Sequence, residues 1–217
     1  MIYGIFGRIG MGKSTLFKAI VRNYKRAIVI DPRGEHAELG VVPSSLDSFR
    51  EFWNAHHNDE KWKIVLQPEV LARGDDVDDE ESDPEQVLAP YIKLLTKHGR
   101  NYLVAIDEVD EFIDAQRNNK AIKRLISYGR HWGIDVVAIA RRTQEVPRKL
   151  TAQCGHLFVL NMQEPDDIKY IKRFLPKTKE FDPFETLPKL VKFQSIHYKV
   201  SDGSLSIMTV LPVDEEV

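Results

Sequence analysis

The sequence holds a single cysteine, Cys154, in 217 residues, which excludes an internal disulfide framework and a cysteine zinc cluster. Its seven histidines show no metal-ligand spacing, and the adjacent His56 and His57 read as solvated side chains. No stretch approaches the roughly 18 consecutive apolar residues of a membrane span, so no membrane association is expected. The N-terminus lacks a basic region followed by an apolar block and a small-residue cleavage site. No secretory signal is therefore expected, and the cytoplasm is the compartment that fits. No internal repeat is present. Net charge is nearly absent too. The formal value of −2 gives no global attraction to nucleic acid, so any contact with DNA must come from a local patch. What remains is a globular composition, 42% hydrophobic and 29% charged, at a length that reads as one domain over residues 1–217.

One low-complexity stretch interrupts the chain. Gly74–Glu85 is almost entirely acidic or serine, with Val77 its sole apolar residue, and it reads as a mobile loop. It lacks the central glycine and spaced ligands of a calcium loop. Elsewhere short apolar runs alternate with helical periodicity. Strands are expected at Ile2–Phe6, Ala27–Ile30, Lys63–Leu66, Tyr102–Ile106, Asp135–Ala140 and His156–Leu160. Helices are expected over Ser14–Tyr24, Ser45–His56, Glu85–Lys97, Glu108–Asp114, Asn119–Tyr128 and Asp166–Phe174. This alternation predicts an α/β fold with a mostly parallel central sheet covered on both faces. The tail differs. Lys192–Val200 and Ser204–Leu211 flank Asp202-Gly203, which predicts an antiparallel hairpin over 192–211.

Gly7-Arg8-Ile9-Gly10-Met11-Gly12-Lys13-Ser14 satisfies the G-x-x-x-x-G-K-[ST] pattern, with a strand before it and a helix after it. Glycines let successive N–H groups converge on an anion, and the helix adds its positive end. Lys13 would reach the β- and γ-phosphates of ATP, the Ser14 hydroxyl would ligate Mg²⁺, and Thr15 completes the grip. The plain alternative, a glycine turn with an exposed lysine, leaves three glycines in six positions unexplained.

Tyr102–Ile106 ends in Asp107 and Glu108. In a parallel sheet the strand C-termini line the ligand crevice. Asp107 would sit beside the Mg²⁺ and hold it through water, and Glu108 would act as general base on the attacking water. Asp110 and Glu111 read as acidic residues favoured by a helix start and carry no assigned chemistry.

In these segments the chain resembles the FtsK–HerA branch of P-loop ATPases, which includes DNA pumps and viral genome-packaging ATPases. The resemblance rests on the phosphate loop, on Ile28-Val29-Ile30-Asp31-Pro32-Arg33-Gly34-Glu35, on the Asp107-Glu108 strand, and on residues 129–142 with Arg130, Gly133-Ile134 and an apolar strand. It implies a three-layer P-loop NTPase of the ASCE/RecA-like type. It also implies that Arg130 acts in trans as an arginine finger, and that the protein forms a ring, hexameric or pentameric, around DNA. The family usually ends its sensor strand in glutamine. Here Arg141 occupies that place and Gln144 lies three residues later, so either could serve as sensor. At this length no nuclease domain, membrane anchor or extra domain of the chromosome pumps is expected. The chain is therefore most like a small viral packaging ATPase, with a capsid or portal protein as partner and the host cytoplasm as its location.

Basic residues within Arg117–Arg130 and Arg141–Lys149 are the expected contacts to double-stranded DNA. Such contacts would be insensitive to sequence and sensitive to salt. The function expected is an ATP-hydrolysing, DNA-translocating motor for genome packaging. The alternatives are a HerA-like cellular DNA-processing ATPase, a nucleotide-dependent interaction switch with little hydrolysis, and a small-molecule kinase, for which the acidic loop makes a poor phosphate lid.

Overall fold

The computed structural model describes residues 1–74, 84–98, 100–113, 120–144, 146, 148–176 and 181–212. Of the Gly74–Glu85 run read as a mobile loop, residues 75–83 lie outside the described residues, as does Arg117, while Gly74 ends one helix and Pro84 begins another.

The strands are β1 (Ile2–Phe6), β2 (Arg26–Ile30), β3 (Trp62–Leu66), β4 (Tyr102–Ile106), β5 (Ile134–Ala140), β6 (His156–Leu160), β7 (Gln194–Lys199) and β8 (Ser204–Thr209). The helices are α1 (Lys13–Asn23), α2 (Leu46–His56), α3 (Pro68–Gly74), α4 (Pro84–His98), α5 (Lys120–Tyr128), α6 (Arg148–Gln153), α7 (Pro165–Ile171) and α8 (Pro183–Thr186). One eight-stranded sheet runs in the order β3-β2-β4-β5-β1-β6-β7-β8. The first six strands in that order are parallel, and β7 and β8 are antiparallel to their neighbours.

Successive side chains of a strand point to opposite faces, so each parallel strand feeds two cores. In β2, Ile28 and Ile30 join one core while Ala27 and Val29 join the other. The first core is covered by α2, α4 and α5, through residues such as Phe49, Leu88 and Leu125; the second by α1, through Leu16, Phe17 and Val21. Burial on both faces is why β4 reads as unbroken apolar sequence, all five of its residues being buried. Helix starts carry their own signals. Ser45 and Ser48 form a reciprocal capping box at the head of α2. Cys154 is buried, and burial pushes its thiol up to about 12, which makes it an inert core side chain.

Three local expectations change. Helix α3 follows β3 directly from Pro68, and α6 follows the loop after β5; both are too short for a helical period to show. The helix expected over Glu108–Asp114 is only a 3₁₀ turn, Val109–Glu111. Its cause is local: the Asp107 carboxylate accepts the Glu108 N–H at 2.8 Å, and Glu108 turns into the left-handed region at φ 46°, ψ 53°. Among the described residues, no helix is long and apolar enough to cross a membrane.

The strand order decides where chemistry can gather. β5 lies between β1 and β4, so three consecutive strand ends deliver the phosphate loop, residue 141 and Asp107-Glu108 to one edge of the sheet.

Candidate active site

The loop from Gly7 to Gly12 joins β1 to α1, and all three of its glycines have positive φ: 149°, 79° and 100°. Gly12 has a steric reason besides. A Cβ there would stand 2.5 Å from Cδ1 of Phe193, so no larger residue fits. Gly12 is also the N-cap of α1. No side chain caps that end and no acidic residue sits in its first turn, so its N–H groups remain free for an anion. The Lys13 ammonium donates to the carbonyls of Gly7 at 2.8 Å and Arg8 at 3.1 Å, which holds it at the loop's centre. Burial pulls that ammonium down to about 8, with the Asp107 carboxylate opposing the shift. Arg8 is tied to the neighbouring strand end: its N–H donates to the Asn161 carbonyl and its guanidinium to Gln163.

The two acids lie in different settings. Asp107 is 5% exposed, and its second oxygen meets Nε2 of His36 at 2.7 Å. His36 is fully buried beneath it and packs on Phe17. Asp31, at the end of β2, fixes that histidine in turn. Its carboxylate accepts the N–H groups of Glu35 and His36, both at 3.0 Å, and the amide of Gln67 at 2.9 Å. The Asp31–Glu35 segment is thus a loop closed on its own aspartate, with His36 as the strut under Asp107. Glu108 instead meets two arginines. Arg33 Nε donates to one carboxylate oxygen at 2.6 Å, and Arg141 donates to the other. The second nitrogen of Arg33 reaches Glu111 at 2.7 Å.

These groups surround one cavity of about 390 Å³, whose walls include Lys13, Ser14, Asp107, Glu108, Arg141 and Phe193. Gly10, Gly12 and Thr15 of the expected grip line it as well, as does the 69%-exposed Ile9. Ser14 and Asp107 offer only oxygen donors, and among the described residues no cluster of three or more His, Cys, Asp or Glu could hold a metal. A hydroxyl and one carboxylate are a donor set suited to Mg²⁺, which keeps waters and shares substrate phosphates, rather than to zinc.

The sensor alternatives separate. Arg141 is in this cavity, whereas Gln144 lines a different one with Glu164 and Asp166. The chain turns away after Arg141 because the buried Thr143 hydroxyl donates to Asp167 at 2.9 Å, and the Gln144 N–H follows it to the same carboxylate. Arg130 is exposed and stands near the start of β5, beside a cavity lined by Met1, Ile2 and Gly155 at the opposite sheet edge. It takes no part in its own chain's site.

Sequence reasoning assigned no role to Arg33, His36 or Phe193. Arg33 lies inside the Ile28–Glu35 segment that carried the family resemblance and His36 directly follows it, so that segment was the available signal. Phe193 lay at the head of the expected hairpin with nothing to mark it.

No protein-family model matches the chain, and no curated protein matches it. Solved structures do. The genome-packaging NTPase B204 of Sulfolobus turreted icosahedral virus 2, in complex with ATP-gammaS, is similar at a TM-score of 0.70 and 19% identity, over 97% of each chain. VirB4 of Thermoanaerobacter pseudethanolicus is similar at 0.65 and 12%, over 98% of this chain and 90% of that one. The cytoplasmic domain of the type VII secretion ATPase EccC from Thermomonospora curvata is similar at 0.61 and 11%, over 98% of this chain and 24% of that one. The chain therefore shares the fold of these structures, an α/β fold with the mostly parallel central sheet that the sequence predicted and with its C-terminal strands antiparallel.

Proposed function

We propose that the chain is an Mg²⁺-dependent ATPase that drives viral genome packaging as a homo-oligomeric ring on double-stranded DNA. The observation that carries this reading is the single cavity that gathers the phosphate loop, both strand-end acids and Arg141. The free N–H groups of α1 and the Lys13 ammonium hold the β- and γ-phosphates. Ser14 and, through water, Asp107 are the residues that would hold Mg²⁺, which when bound neutralises charge on the phosphate oxygens. Glu108 takes the proton of the attacking water. Its pairing with Arg33 and Arg141 keeps it a poor base until the γ-phosphate competes for the Arg141 guanidinium. Arg141, rather than Gln144, is then the sensor.

Arg130 is exposed on the sheet edge opposite its own nucleotide, so only a neighbouring subunit's γ-phosphate is within its use as a finger. The exposed Lys120, Arg124, Arg142, Arg148 and Lys149 supply non-specific phosphate contacts to DNA. A capsid or portal protein completes the assembly. The reading draws on the likeness to B204, described as a genome-packaging NTPase.

A second reading is favoured by one observation, the double arginine pairing of Glu108. A site locked in that state would bind nucleotide, barely hydrolyse it and act as a switch. ATP turnover with and without duplex DNA, across a salt series, separates the two. The motor predicts Mg²⁺-dependent turnover stimulated by DNA and weakened by salt. Tight binding without turnover or DNA response would replace it with the switch.

A further inference from the structure

The segment before β7 reaches the nucleotide cavity with an aromatic ring, although nothing in the phosphate chemistry calls for one. Val191–Gln194 is a tight turn, closed by the Gln194 N–H on the Val191 carbonyl at 3.0 Å and by the Val191 N–H on the Gln194 side chain at 3.2 Å. Phe193 occupies its third place with φ 69°. Glycine takes that conformation without strain and a bulky side chain does not. Strained backbone of this kind persists only where its surroundings hold it, and it gathers at ligand sites.

The surroundings are explicit. The Phe193 N–H donates to the Met11 carbonyl inside the phosphate loop at 2.9 Å, and its own carbonyl accepts from Val210 at 3.0 Å. The ring presses on Gly12 so closely that a Cβ there would be 2.5 Å away. Asn161 anchors the approach: its side-chain amide N–H groups donate to the carbonyls of Pro188 and Leu190, while its backbone carbonyl accepts the Arg8 N–H. The phosphate loop and the turn are thus fastened to one residue. The ring itself is only half-buried and lines the cavity. The exposed Lys192 ammonium lies 4.9 Å from its centroid, so that face is covered by a solvated cation and not by the core.

We propose that the Phe193 ring is the stacking platform for the nucleobase of the bound nucleoside triphosphate. The inference rests on the phosphate-loop reading above and extends it to the base. Lys192 is the displaceable cover of the ring face, and the antiparallel hairpin exists in this site to deliver the ring. A stacked ring recognises base area, so its contribution belongs to the base and not to the phosphates.

The test is calorimetric titration of the wild type, Phe193→Leu and Phe193→Trp with Mg²⁺-ATP and with inorganic tripolyphosphate. Leucine keeps apolar volume against Gly12 but removes the π-face. Phe193→Leu is expected to weaken ATP binding by about 5- to 100-fold and to leave tripolyphosphate binding unchanged. Phe193→Trp is expected to keep ATP affinity and to gain a fluorescence change with ATP but not with tripolyphosphate. Unchanged ATP affinity in Phe193→Leu, or equal loss of both ligands, overturns the platform. Should Phe193→Leu fail to fold, a tryptophan signal that responds to both ligands alike, or to neither, overturns it. A wild type that binds neither ligand would instead remove the phosphate-loop reading on which the inference stands.

Discussion

The parallel body and the antiparallel ribbon reach the same cavity with opposite chain directions. In the body, β1, β5 and β4 finish there, leading into the phosphate loop, Arg141 and Asp107-Glu108. In the ribbon, β7 begins there, so it is the residue before the strand, Phe193, that lines the cavity. Their packing differs as well. β4 is buried along its whole length, whereas β8 is a half-open edge with Ile207 56% exposed. Groups that must hold charge at fixed positions sit on the doubly covered strands, where the backbone cannot shift. The ribbon, covered less, contributes a ring whose contact is apolar and tolerant of small movement.

That contrast can be broken in stages. Glu108→Gln is the most severe change for the body. It is expected to slow turnover by about 10²- to 10⁴-fold with ATP affinity kept, as read by single-turnover phosphate release beside calorimetry. An unchanged rate would place the base elsewhere. His36→Ala comes next, because the fully buried imidazole is the strut under Asp107. Removing it is expected to raise the Mg²⁺ requirement by about 10- to 100-fold. It also leaves a buried carboxylate oxygen unpaired, a loss of about 1–3 kcal/mol in urea unfolding. Equal Mg²⁺ dependence in the variant and the wild type would make His36 a packing residue only.

Arg33→Ala is expected to act more gently and in the other direction. Arg33 is 48% exposed, so its hold on Glu108 is screened, and its loss is expected to raise DNA-independent turnover by about 2- to 5-fold. A slower variant would show that Arg33 aligns the base rather than restraining it. The smallest effect belongs to the ribbon. His156 and His197 meet across β6 and β7 at 2.8 Å, near Lys199 and Asp202. Burial holds both imidazoles below their ordinary value; Lys199 adds to the shift in His156, and each neighbouring cation opposes protonation of His197. The unfolded chain therefore takes up protons first, and stability present at neutral pH is lost as pH falls below about 6.5. Thermal melts at pH 7 and pH 5 are expected to differ by less than about 3 °C more in the wild type than in His197→Gln.

Much of the body is legible in the sequence. Ile2–Phe6, the glycine loop and the helix from Lys13 lie consecutively in the chain, so local rules of strand, turn and helix start suffice to read them. The same holds for Tyr102–Ile106 and for the turn at Asp202-Gly203. The pairings within the site were not legible. Arg33 and Glu108 are 75 residues apart, and His36 and Asp107 are 71 apart. Nor could the sequence choose between Arg141 and Gln144, because the choice depends on Asp167 of α7 capturing Thr143 of the loop after β5.

Taken alone, the sequence determined which residue types could grip a phosphate and where strands would end in acids, since those features are written in contiguous stretches and obey short-range geometry. The folded chain alone sets β5 between β1 and β4, shares Glu108 between two arginines, and rests a ring from the last hairpin on Gly12. These depend on sheet order and on which face each strand turns to its neighbour, and both are settled by burying the two cores together rather than by any one segment.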